Sequence, residues 1–152
     1  MPDAQAARKR VPVREGFFDS LDQPLENVHL VGSRCRSCRY VFFGRRTGCE
    51  NCGSEALEDI TLSRRGVIWS YTVQRYHPPG DYKGPEPFQP FAVAAVELPE
   101  EVRVLAPLTG IDVDRVKVGM NVELVVEPLY QDANGNEVIA YKFRPVEGRR
   151  TR

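Results

Sequence analysis

The sequence predicts a mainly β protein with a short N-terminal helix, a small cysteine-held ribbon and a five-stranded barrel. Three observations lead there. The chain's four cysteines fall in two C-x2-C pairs between positions 35 and 52. Downstream, five stretches rich in β-branched and aromatic residues are separated by Pro, Gly and Asn-Gly breaks. Upstream, Phe17, Phe18 and Leu21 sit at i, i+1 and i+4, the spacing of a short amphipathic helix.

Residues 1–13 are Ala-rich and then basic, hold Pro2 and Pro12, and show no apolar periodicity, so they read as a disordered lead-in. The helix belongs to residues 14–26, and Pro24 stops it. Residues 27–62 form the ribbon and its connector. Asn27–Arg34 alternates Val28, Leu30 and Gly32 with more polar positions, and Tyr40–Phe43 is aromatic, so two strands bracket the first cysteine pair. The stretch SEALEDITLSRRG reads as a polar connector.

Residues 63–146 supply the barrel. Strands are expected at 67–76, 91–98, 102–108, 122–129 and 138–143. Pro99-Glu100-Glu101 is a short hairpin, Asp112 opens a brief helical turn, and Asn134-Gly135 turns the last hairpin. Five antiparallel strands with one helical interruption match an OB-type barrel. Between the first two strands lies a Pro-rich loop, unable to form a central strand because proline donates no ladder hydrogen bond. Trp69 and Tyr71 share a face of the first strand, read as barrel core in preference to a platform for stacking bases. Residues 147–152 form a basic tail.

Each C-x2-C pair sets two thiolates on one tight turn, and two such turns can enclose a tetrahedral ion. Cys35, Cys38, Cys49 and Cys52 therefore read as ligands of one structural Zn2+, although an S4 tetrahedron also suits iron. Four protein ligands leave no open position for chemistry. Arg34, Arg36, Arg39, Arg45 and Arg46 lie close in sequence and can offset the negative charge of the thiolates. A competing role for such arginines is to grip phosphate.

Net charge is zero, but residues 66–143 are net acidic while both flanks are net basic. An acidic barrel argues against a nucleic-acid partner, which needs clustered Lys and Arg. No run approaches the roughly 18 apolar residues of a membrane span, and no signal-peptide pattern opens the chain, so a cytoplasmic location with no membrane contact is expected. The two histidines, His29 and His77, have no evident catalytic partner, and no nucleophile or phosphate-loop motif occurs. Independent catalysis is not expected.

Several segments together resemble the OB-fold proteins with a rubredoxin-like zinc ribbon that accompany acyl-CoA enzymes, a family first catalogued as a domain of unknown function. The resemblance covers about residues 15–146 and rests on GFFDSL, RCRSCRYVFFGRRTGCENCGS, SRRGVIWSYTV, PFAVAAVELPEEVRVLAPLTG, VKVGMNVELVVE and FRPV. Phe43-Gly44-Arg45-Arg46 and Glu50 depart from the family's usual Phe-Pro-Pro-Arg and proline. The resemblance implies a non-catalytic subunit, most simply the required partner of a thiolase-like enzyme degrading aromatic or steroid-type acyl-CoA. Partnership with a steroid side-chain aldolase or an acyl-CoA hydratase is the alternative, and a nucleic-acid-binding ribbon and OB module is the contrasting class. In the hetero-oligomer the CoA thioester would be the complex's substrate, with Arg45, Arg46 and Lys83 as candidate contacts to CoA phosphates. Phe17 and Phe18, with Tyr76, Tyr82, Phe88 and Phe91 around the Pro-rich loop, are the candidate partner interface.

Overall fold

Alternating burial builds the larger sheet of the computed structural model, which describes residues 9–77 and 87–146. Its strands are β1 (Arg10–Pro12), β5 (Arg65–Gln74), β6 (Phe91–Leu98), β7 (Val102–Pro107), β8 (Asn121–Gln131) and β9 (Glu137–Pro145), ordered β1-β9-β8-β5-β6-β7. The smaller sheet orders β3 (Val41–Phe43), β2 (Val31–Cys35) and β4 (Leu57–Thr61) around a central β2. Ala92, Ala94, Val96 and Leu98 on β6 face inward with Val102, Val104 and Ala106 on β7 and Val122, Leu124 and Val126 on β8. This is the period of two that half-buried antiparallel strands require. Among the described residues, no helix is long and apolar enough to cross a membrane.

All five expected barrel strands form, but they do not make a closed five-stranded barrel. A sixth strand, β1, adds parallel to β9, and β7 meets β9 only at the isolated bridge Leu108–Phe143. Of the expected disordered lead-in, residues 1–8 lie outside the described residues and Arg10–Pro12 form this added strand. The expected polar connector also contains a strand: Leu57 and Ile60 on β4 pair with β2 beside buried Leu62.

The expected N-terminal helix does not form. Gly16 takes a φ of +86°, which is incompatible with a helix, and Phe18 instead bridges Leu30 in antiparallel fashion. Backbone bonds from Asp19 N to His29 O (3.0 Å) and from Val31 N to Phe17 O (2.9 Å) hold the segment extended. Asp19 Oδ1 accepts from Ser20 N and His29 N, a side-chain alternative to helical bonding. The only helical piece here is the 3-10 turn Leu25–Asn27.

The register of β5 shifts between Ile68 and Ser70, so Trp69 falls in a bulge and is 49% exposed, while Tyr71 pairs with Ala94 yet is still 38% exposed, so neither ring fills the expected core position. A bulge inserts one residue and resets the alternation beyond it.

One hydrophobic cluster joins Phe18, Val28, Leu30 and Leu62 of the ribbon side to Ile68, Leu124 and Phe143 of the barrel side. Arg64 ties the two across this core, donating to Val28 O (3.0 Å) and Leu124 O (3.1 Å). Burial pulls its pKa below the usual value, yet a guanidinium stays protonated. Replacing Arg64 by Met leaves two buried carbonyls without donors. The expected cost is about 1–3 kcal/mol, read as a lower denaturation midpoint with unchanged slope.

Candidate metal centre

Two knuckles with the same backbone wiring present the cysteines. Cys35 ends β2, and its N–H donates to Tyr40 O (2.9 Å) while Arg39 N returns to Cys35 O (2.8 Å). The second knuckle repeats this pattern: Cys49 N donates to Ser54 O (2.8 Å), and Gly53 N returns to Cys49 O (2.8 Å). The fifth residue of each loop must be left-handed. Gly53 does so at φ +85° without a Cβ penalty, whereas Arg39 adopts φ +75° at a steric cost. Backbone N–H groups then point at sulfur, from Cys38 to Cys35 Sγ (3.4 Å) and from Asn51 (3.3 Å) and Cys52 (3.4 Å) to Cys49 Sγ. The Asn51 side chain donates to Cys38 Sγ at 3.4 Å.

All four Sγ atoms lie within 4.8 Å of one another. Cys35–Cys52 and Cys38–Cys49 are each 3.6 Å apart, far beyond a disulfide bond of about 2.05 Å and close to the roughly 3.8 Å edge of a tetrahedron with 2.3 Å Zn–S bonds. The donor set thus fits the ion. N–H bonds stabilise thiolate: the Cys38 N–H holds Cys35 down at about 6, and the Asn51 amide lowers Cys38. At Cys52 the Ser54 N–H also favours thiolate, but sharing a proton with Cys35, together with burial, outweighs it and pushes the pKa up to about 12. Metal entry therefore displaces protons, and affinity falls on acidification.

Four of the arginines around the tetrad, Arg34, Arg36, Arg45 and Arg46, pair with carboxylates of the ribbon. Arg45, a candidate phosphate contact, donates to Asp59 (3.0 Å) and Phe18 O (3.3 Å). Arg46 pairs with Glu50 at 2.8 Å and lies 4.8 Å from the Phe42 ring centroid. Glu50, where the family commonly has proline, is thus an ion-pair partner. Lys83 and Tyr82 lie outside the described residues. Phe18 is only 6% exposed, and Phe17 stacks 4.2 Å from Phe43, so the two rings join the N-terminal segment to the ribbon. Tyr76 is 82% exposed, and Phe88 stands 6.1 Å from Phe91 and 5.7 Å from His77. Sequence reasoning missed Asn51 and Ser33. Buried Ser33 donates to Gly44 O and accepts from Arg46 N, each at 2.9 Å, fixing the chain between the knuckles. No pattern in the sequence marks either residue.

A four-cysteine ribbon packed on an OB-type sheet defines a zinc-ribbon OB-fold protein, and the tetrad is a structural zinc site. Residues 24–58 match the ChsH2 rubredoxin-like zinc ribbon domain and residues 59–127 the ChsH2 C-terminal OB-fold domain. The chain belongs to this family. It is 34% identical to a DUF35 domain-containing scaffold protein of Pyrococcus furiosus over 80% of this chain and 86% of that one. It is also 34% identical to the benzoylsuccinyl-CoA thiolase subunit BbsA of Geobacter metallireducens, over 86% of each chain. Among solved structures, the Ltp2-ChsH2(DUF35) aldolase matches with a TM-score of 0.57 and 32% identity, covering 77% of this chain and 84% of that chain.

Proposed function

We propose that this chain is the non-catalytic scaffold subunit of a thiolase-type complex that cleaves an aromatic or steroid-type acyl-CoA. The supporting observation is the 34% identity to a benzoylsuccinyl-CoA thiolase subunit over 86% of both chains. The tetrad gives a physical reason for a scaffold role: with four protein thiolates, zinc keeps no position for water or substrate and serves to fold the ribbon. The division into a ribbon unit at 27–62 and an OB unit at 63–146 is part of the proposal, as is docking through the segment that carries Tyr76 and Phe91. In this reading CoA thioester is the complex's substrate.

The likeness to an aldolase structure favours a second reading, in which the partner performs carbon–carbon cleavage without added CoA. One experiment separates them. The tagged chain is purified from its native host, the co-eluting enzyme is identified, and each protein is assayed alone and together. The expected result is no turnover by the isolated chain and CoA-dependent thiolytic cleavage by the pair. Cleavage by the pair without CoA would select the aldolase reading, and steady turnover by the isolated chain would overturn the scaffold role.

A further inference from the structure

A cleft of about 470 Å3 opens where the N-terminal segment, β3, β7 and β9 meet. It lies along the seam that no ladder closes between β7 and β9. Phe17, Phe43 and Tyr141 make its floor, with ring centroids 4.2 to 5.8 Å apart. Val13 and Leu105 form its apolar wall, and they remain 41% and 68% exposed. Its charged lining residues are Arg14 and Arg103, with no carboxylate among them, although the surrounding barrel sequence is net acidic.

Arg103 carries the surface beyond the cleft. Its guanidinium lies 3.6 Å from the Trp69 ring centroid and 3.6 Å from Glu97, and half of its side chain is open to solvent. Half-buried Ala95, Val93 and Phe91 on β6 extend the same outer face toward the Pro-rich loop. Natural sheets blunt edge strands with charge, bulges or a cover. Here edge strand β7 carries a leucine in mid-strand at 68% exposure.

We infer that this cleft and the adjoining Trp69–Arg103 stack dock the catalytic subunit, which inserts a large apolar side chain flanked by carboxylates. The inference rests on the scaffold reading above. Charge selects the partner's chemistry: Arg14 over the Phe17 ring and Arg103 at the cleft's edge favour an acidic rim, and forked Arg–carboxylate bonds strengthen as water is excluded. Aromatic and Arg anchors around a desolvated pocket are the usual carriers of interface energy. A small amphipathic anion in the cleft would leave Trp69, which lies outside the cleft lining, bare on the outer sheet face, whereas a protein surface covers both the cleft and the ring.

The test uses the chain co-expressed with its thiolase- or aldolase-type catalytic subunit. Leu105→Asp and Arg103→Gln are each expected to raise the Kd roughly 10- to 100-fold while the free subunit melts nearly as before, because both side chains are exposed. Val118→Asp alters an apolar residue of similar exposure, 64%, outside the cleft and leaves affinity unchanged. Trp69 is the chain's single tryptophan, so 5-fluorotryptophan gives one 19F resonance at this surface, which shifts on complex formation. If wild type forms the complex and both variants bind equally well, the surface is wrong and the scaffold reading stands. If wild type forms no complex, both fall. Self-association abolished by Leu105→Asp with partner binding intact assigns the surface to a second copy. Saturable shifts of the Trp69 signal by benzoate or octanoate, with none from the catalytic subunit, assign it to a small ligand. Either outcome overturns the inference.

Discussion

Removing zinc is expected to unfold the ribbon and to take part of the barrel with it. The β2–β3–β4 sheet has three short strands, and only β2 is mostly buried. So little buried surface cannot offset chain entropy, and structural zinc contributes about 10–16 kcal/mol of binding free energy to such modules. Loss of the ribbon also removes Val28, Leu30 and Leu62 from the shared core and the Arg64 tie from its anchor. Elemental analysis should read one zinc per chain. A strong chelator, or Cys49→Ser, should abolish the near-ultraviolet signal of the Phe17–Phe43–Tyr141 cluster and open the knuckle loops to protease. Cys49 is a sharp choice because it is buried and receives two N–H bonds at sulfur. Acidification should act in the same direction, since each thiolate that gains a proton loses its bond to the ion. A metal content near zero in protein with an intact ribbon would falsify the assignment.

The metal centre was legible in the sequence because its chemistry is local: two C-x2-C pairs dictate two knuckles wherever the chain places them. The five barrel strands were legible for a similar reason, as Phe91–Leu98 and Asn121–Gln131 carry their alternation in their own residues. The misread elements depend on partners distant in sequence. Phe17 and Phe18 have helical spacing with Leu21, yet the bridge to Leu30 and the positive φ at Gly16 outweigh that local preference. Arg10–Pro12 is too short and polar to signal a strand, and it forms one because β9 offers an edge. Trp69 and Tyr71 alternate in sequence, but a bulge between Ile68 and Ser70 breaks the alternation and leaves both rings exposed. The partners of Arg45 and Arg46 are also distant or geometric, since sequence does not reveal Asp59 across the sheet or the ring of Phe42.

Phe143→Ala is expected to be the most destabilising single change within the sheet core. The ring is fully buried, the largest side chain in that state, and it stands opposite Leu124 on the inner face. Its backbone also holds the seam: Phe143 bridges Leu108 and accepts a 2.9 Å bond from Thr109 N. Because β7 and β9 share no ladder there, packing around this ring replaces the hydrogen bonds that would close a barrel. Truncation leaves a cavity that the flanking strands can fill only by moving, so the cost should be about 3–5 kcal/mol. For a chain of this size that corresponds to roughly 10 °C in Tm. Arg144→Ala, next in sequence but exposed and paired with Glu123 at 2.9 Å, should change stability by less than about 1 kcal/mol. Since Phe18, Leu30 and Leu62 belong to the same cluster as Phe143, the zinc-loaded variant should lose ribbon and barrel in one transition at a lower denaturant midpoint with the wild-type slope. Two separate transitions, with the ribbon persisting after the barrel has melted, would show that the two units fold independently and that the shared core does not couple them.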